Sequence, residues 1–167
     1  MVAFTGGFFG KKELIVAKKE HLVIINRGVK EFNAWRRLYP QIEVDLNEAD
    51  LSYLDLAGIN LSGAKMYKAE LRGTKLNNAT LAKAYLRKAN FKDTHANSAD
   101  FSGAVLDWIY FDCTEMEGVK MDENTSLLGT NFHGARGLPR EIQKRVLEEL
   151  KNSWGSEQRS AKWGVSL

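Results

Sequence analysis

At 167 residues, with 44% hydrophobic and 27% charged side chains, the chain has the material for one packed domain. A formal charge of +3 and a sequence pI near 8.9 are too mildly basic to imply nucleic-acid binding by themselves. The lone cysteine, Cys113, excludes an internal disulfide and any multi-cysteine zinc site, and suits a reducing compartment.

In chain order, residues 1–16 fit no element, and Gly6, Gly7 and Gly10 match neither the phosphate-cradling nor the dinucleotide glycine pattern. Lys11, Lys12, Glu13, Lys18 and Lys19 interrupt the apolar residues, which fits neither a secretory signal nor a spanning helix; a cytoplasmic location is expected. Over about 20–38, Leu22, Ile25, Val29 and Phe32 fall at helical spacing with Trp35 nearby, predicting one amphipathic helix ended by the approach to Pro40.

From Leu46 a large apolar residue recurs every five: Leu51, Leu56, Leu61, Met66, Leu71, Leu76, Leu81, Leu86 and Phe91, then Phe101, Leu106, Phe111, Met116 and Met121. Two positions before each centre sits a mostly small or β-branched residue, such as Ala49, Ala64, Thr74, Ala84 or Ala104. On an α-helix five residues turn about 500°, so these centres would spiral around every face. On an uninterrupted strand, positions five apart point to opposite sides. The pattern works only if the chain turns a corner once per unit, keeping the centre and the small residue inward, so that the chain coils and stacks on itself.

Units such as Ala49-Asp50-Leu51-Ser52, Ala89-Asn90-Phe91-Lys92 and Ala99-Asp100-Phe101-Ser102-Gly103 resemble the A(D/N)LxX consensus of the pentapeptide-repeat family. The segment leading through Gly28-Val29 and Trp35-Arg36 to Pro40 is similar to the N-terminal helical cap of bacterial members. The resemblance implies four units per turn and an all-β solenoid: a right-handed quadrilateral β-helix of about 4 to 5 coils with α-helical caps at both ends. With stacking near 4.8 Å the rod would be roughly 20 Å long. The expected organisation is an N-terminal segment to residue 43, repeats over 44–137, and a C-terminal part over 138–167. In that last part Pro139, Ile142, Val146, Leu147 and Leu150 predict a capping helix over about 139–151, followed by a loose tail.

Two flaws stand out. Ala96 is undersized for a centre, and after Met121 the next centre, Leu127, comes six residues later, predicting a bulged corner within Glu123 to Ser126.

A filled solenoid offers no pocket, and the polar residues agree with a non-catalytic reading: no catalytic, cofactor or metal residues are assigned. His21, His95 and His133 are far apart in sequence, and Cys113 takes an outward position as a free thiol. Charge is banded along the repeats. Residues 45–64 carry only acids, 65–92 carry eight bases against Glu70, and 93–123 carry eight acids against Lys120.

Folding with a twenty-residue coil puts Lys65, Lys68, Arg87 and Lys88 on one face with Tyr67, Tyr85 and Trp108. That mixture suits a protein hot spot or, less well, stacked bases and phosphates. The expected function is a non-enzymatic interaction or scaffold protein with a protein partner, no nucleic acid and no membrane, as a monomer or weak homodimer through an end cap. The family resemblance also implies an alternative, a DNA-mimicking modulator of DNA gyrase, a type II topoisomerase. Mimicry needs a dominantly acidic surface, and the basic middle band argues against it.

Overall fold

A computed structural model of the protein describes residues 18–153. Parallel bridges link residues twenty apart, as in Asp45↔Lys65, Lys65↔Tyr85 and Tyr85↔Val105 on one side, and Asp50↔Glu70 and Glu70↔Asn90 on the next. Four five-residue units therefore make one coil of a right-handed solenoid. Its first face carries Asp45, Lys65, Tyr85, Val105 and Ser126; its second carries Asp50, Glu70, Asn90, Tyr110 and Asn131.

Each unit is one short extended piece and one β-turn. The amide of the small residue closes the turn on the previous centre, as in Ala49 N to Leu46 O at 3.1 Å and Ala64 N to Leu61 O at 3.0 Å. The Asp or Asn of the consensus has a mechanical purpose. Asp50 Oδ1 accepts from the Ser52 amide at 3.0 Å, Asn90 Oδ1 from Lys92 at 3.1 Å and Asp100 Oδ1 from Ser102 at 2.9 Å, each satisfying a turn amide that the ladder leaves out. These contacts hold the Asp50 carboxyl below its ordinary range through the Ser52 amide, and that of Asp55 through the Ala57 amide and then Lys75.

The centres form the core. Leu46, Leu51, Leu61, Met66, Leu71, Leu76, Leu81, Leu86, Phe91, Phe101, Leu106, Phe111 and Met116 are all fully buried, each worth about 1.5–3 kcal/mol relative to exposure. The small position is equally sealed, and threonine there hides its hydroxyl by donating back one coil: Thr74 to Leu51 O at 2.9 Å, Thr94 to Leu71 O at 2.7 Å and Thr114 to Phe91 O at 2.7 Å. Because Ala84 is fully enclosed, Ala84→Leu is expected to destabilise by about 1–3 kcal/mol through overpacking, measured by urea denaturation.

Ala96 is itself fully buried. Phe91 and Phe101, on the opposite faces that adjoin Ala96's own in the same coil, meet across the interior with ring centroids 6.0 Å apart, edge to face. The extra residue lies where the spacing predicts, since Asp100↔Lys120 is followed by Val105↔Ser126. Asp122 knits this longer unit together, its Oδ1 accepting from the amides of Gly103 at 2.8 Å and Asn124 at 3.1 Å. These bonds, the Gly103 amide foremost, depress the Asp122 carboxyl.

The N-terminal cap departs from the single helix expected over 20–38. It is two helices, α1 (Lys18–Ile25) and α2 (Val29–Leu38), separated at Gly28, whose φ of 118° a side chain rarely adopts. The break turns both apolar sides, with Ile25 and Phe32 buried, onto the first coil. Their polar residues stand in for a missing coil. In later coils the amides of Lys65, Tyr85 and Val105 donate to Val44, Ala64 and Ala84 above them; the Asp45 amide instead donates to His21 Nδ1 at 3.2 Å. Asn33 does the same on the fourth face, its Oδ1 accepting from the Asn60 amide at 2.8 Å and its Nδ2 donating to Gly58 O at 2.9 Å. Arg36 donates to Ile42 O and Ser62 O, both at 2.9 Å.

At the other end the chain leaves the ladder at Gly137, where a Cβ would lie 2.9 Å from the Glu117 backbone. Helix α3 (Arg140–Ser153) then covers the last coil with Ile142 and Val146. Arg145 ties it to the bulged unit, donating to Asp122 O at 2.7 Å and to Thr125 O. Met121, an expected core centre, is only partly buried, because no further coil covers the fourth face below it. Residues 1–16 and Trp154 and Trp163 of the tail lie outside the described residues.

Candidate interaction face

The structure brings all seven candidate residues to one edge of the rod, but not to a flat face. Lys65 and Tyr85 sit in the extended column of the first face, as their shared bridge shows. Tyr67, Lys68, Arg87, Lys88 and Trp108 occupy turn positions and form the corner between the first and second faces. Backbone bonds set the stack: Glu48 N to Tyr67 O at 2.7 Å, Lys68 N to Arg87 O at 3.1 Å, Lys88 N to Asp107 O at 3.0 Å and Trp108 N to Leu128 O at 2.9 Å. Side chains in one column are thus repeated at about 4.8 Å.

This corner is built against local preference. The third turn residue is left-handed at Glu48, Lys68, Lys88 and Trp108, with φ of 58°, 54°, 60° and 60°. The other corners also place side chains there, at Tyr53, Asn78, Lys83, Asp93, Ser98 and Cys113, but only this one does so in four successive coils. A side chain in that conformation costs about 1 kcal/mol or more, and this corner bears that cost in four successive coils. Glycine follows only at Gly129, where an added Cβ would lie 2.6 Å from the Trp108 ring. The indole lies flat over that glycine.

The cations differ in what they touch. Lys65 Nζ is 2.7 Å from Glu43 Oε2, a contact that raises the ammonium above its usual pKa. Lys68 Nζ lies 5.3 Å from the Tyr67 ring centroid, a cation–π distance. Among the described residues no carboxylate lies within ion-pair range of Lys68, Arg87 or Lys88. Tyr85 is 55% and Trp108 45% exposed.

Sequence reasoning by faces missed what the corner adds from the second face. Arg72 and Lys92 occupy turn positions of the next corner, between the second and third faces, Arg72 with its Nε 3.4 Å from Asp93 Oδ2. Exposed Tyr110 and Leu128 extend the aromatic end. Leu128 needed the inserted residue to be counted.

Elsewhere the bands pair with each other. Lys75 Nζ is 3.3 Å from Asp55 Oδ2 on the third face, and His95 Nδ1 lies 2.8 Å from Glu115 Oε2, a contact that lowers the Glu115 carboxyl. Such exposed pairs contribute little stability. Cys113 is a free, exposed thiol, His133 is exposed and His21 is buried in the cap. Among the described residues no three His, Cys, Asp or Glu side chains gather as a metal site, and no helix is long and apolar enough to cross a membrane.

The sequence matches the family model described as pentapeptide repeats, in eight copies, over residues 45–81, 74–112 and 84–122. No curated protein matches it significantly. Among solved structures it is similar to a pentapeptide-repeat protein of the Arabidopsis thaliana thylakoid lumen, at 29% identity over 63% of this chain and 74% of that one, with a TM-score of 0.58. A pentapeptide-repeat protein of Nostoc shares 27% identity over 59% of this chain and 92% of its own, at a TM-score of 0.37. One from the cyanobacterium Cyanothece shares 31% over 49% and 59%, at 0.28. The repeat register, the twenty-residue coil, the family-model match and the likeness to the Arabidopsis protein lead to one conclusion: the chain belongs to the pentapeptide-repeat family.

Proposed function

We propose that this is a non-enzymatic interaction or scaffold protein that holds another protein through the corner formed by Tyr67, Lys68, Arg87, Lys88 and Trp108, with Lys65 and Tyr85 beside it. The observation that carries this reading is the corner's composition: four consecutive strained turns display Glu48, Lys68, Lys88 and Trp108, and cations there lack carboxylate partners. Of these side chains, Trp108 also covers Gly129 of the next coil. The interior supports a non-catalytic role, since its volume is occupied by the centres and small residues.

A cytoplasmic setting and a monomeric or weakly dimeric state through an end cap complete the proposal; light scattering at micromolar concentration checks the latter. The test of the face is a pull-down comparing wild type with a Lys65, Lys68, Arg87 and Lys88 to Glu variant. Loss of a partner is expected, and identical partner lists would remove the face from consideration. The gyrase-modulating alternative is disfavoured by the basic belt, which would repel a DNA-binding saddle; no change in a supercoiling assay is expected.

A further inference from the structure

The corner has a composition and a height that narrow the chemistry of what it meets. Its uncompensated cations come from two successive coils, Lys68 above Lys88 with Arg87 adjacent, a patch about 10 Å high at the coil spacing. It is bounded in the same columns by acids, Glu48 above Lys68 and Asp107 below Arg87. On the next corner Lys92 is followed by Asp93 and, one coil on, by Asp112. The aromatic side chains lie at the margins, with Tyr85 beside Arg87 and with Trp108 directly under Lys88 next to exposed Leu128 and Tyr110.

We propose that this corner docks on an acidic polypeptide surface. Arg87, Lys88 and Lys68 take a small group of carboxylates, and Trp108 with Leu128 takes an apolar side chain next to them. The proposal rests on the reading of the corner as the interaction surface. It favours a polypeptide over nucleic acid for a geometric reason. A phosphate backbone carries charge without interruption, so a strand laid across the patch would run onto Glu48 or Asp107 after two coils. A protein can stop its carboxylates where the patch stops and place apolar or basic groups over the flanking bands.

The test uses fluorescence anisotropy at low salt with three labelled probes: a Glu-rich peptide with interspersed Leu, the same peptide with Gln for Glu, and an oligo-dT of matched charge. The Glu peptide is expected to bind at least about tenfold more tightly than either of the others, with an affinity that falls as salt rises. Arg87→Glu with Lys88→Glu should weaken it at least about tenfold, Trp108→Ala about fivefold, and Lys144→Glu on α3 not at all. Circular dichroism confirms that each variant is folded. Equal affinity for the corner variant, or tighter binding of oligo-dT than of peptide, overturns the proposal. A partner lost in the pull-down on charge reversal, with no binding of the Glu peptide, would leave the interaction reading standing and remove the acidic partner; an unchanged pull-down removes both.

Discussion

Phe91→Ala is expected to lower the free energy of unfolding by about 3–5 kcal/mol, and Ala96→Leu by about 1–3 kcal/mol, whereas the double variant should lose clearly less than their sum. Phe91 is fully buried, 6.0 Å from Phe101 and 5.1 Å from Phe111 between ring centroids. Its removal takes away the ring that fills the space beside Ala96, and neighbouring coils, pinned by their ladder, cannot collapse into the gap. A leucine at Ala96 has nowhere to go in the wild type because that space is taken. Once Phe91 is gone it has room, so the two changes should couple favourably. Urea melts of the four proteins measure this. Strict additivity would show that the Phe91–Phe101 contact does not compensate for the short centre.

A second large effect is expected at the N-terminal cap, where His21→Leu combined with Asn33→Leu should cost about 2–5 kcal/mol. Each change strips the acceptor from a coil-edge amide, and an orphaned, partly buried group costs about 1–3 kcal/mol. Amide hydrogen exchange should accelerate at Asp45 and Asn60, whose amides donate to His21 and Asn33, before it does so in the middle coils. Unchanged exchange at both amides would contradict the surrogate-coil role.

The same histidine makes the cap sensitive to acid. Burial lowers the pKa of His21 below its usual value, against the pull of Asp45 and Glu20 and with a smaller contribution from Arg36. A proton on Nδ1 would also face the Asp45 amide hydrogen. Since the unfolded chain binds the proton more readily, this contribution to stability is complete above about pH 6.5. It declines as pH falls from there through the folded pKa. His21→Gln, which can accept a hydrogen bond but does not titrate, should flatten that decline. The depressed carboxyls of Asp50, Asp55, Glu115 and Asp122 act in a separate window: their stabilisation is present above the ordinary carboxylate range and is lost as pH falls through their lowered values.

Much of the architecture could be read from residue spacing because every unit repeats the same physical demand. A centre such as Leu71 and a small residue such as Ala69 must both point inward, and only a chain that turns each unit can do this. The inserted residue before Thr125 was legible for the same reason, as a break in register. The cap was less so. Leu22, Ile25, Val29 and Phe32 share a helical period, but Gly28 splits the helix, a consequence of how the pieces lie on the first coil and not of the period.

Of the candidate site, the residue types and their common edge followed from the sequence, since a coil of constant length places Lys68 over Lys88 by counting alone. Tertiary structure decided what counting could not. It decided that these residues form a corner between two faces, and that Lys65 is engaged by Glu43 while Arg87 and Lys88 are not. It also decided that Phe91 and Phe101 meet across the interior of the coil that holds Ala96, and that His21 replaces an absent carbonyl at Asp45. The division has one physical reason. Register is a one-dimensional property carried by hydrophobic spacing, whereas ion pairs, ring contacts and surrogate acceptors depend on side chains meeting across coils and caps, where distance along the chain says nothing about distance in space.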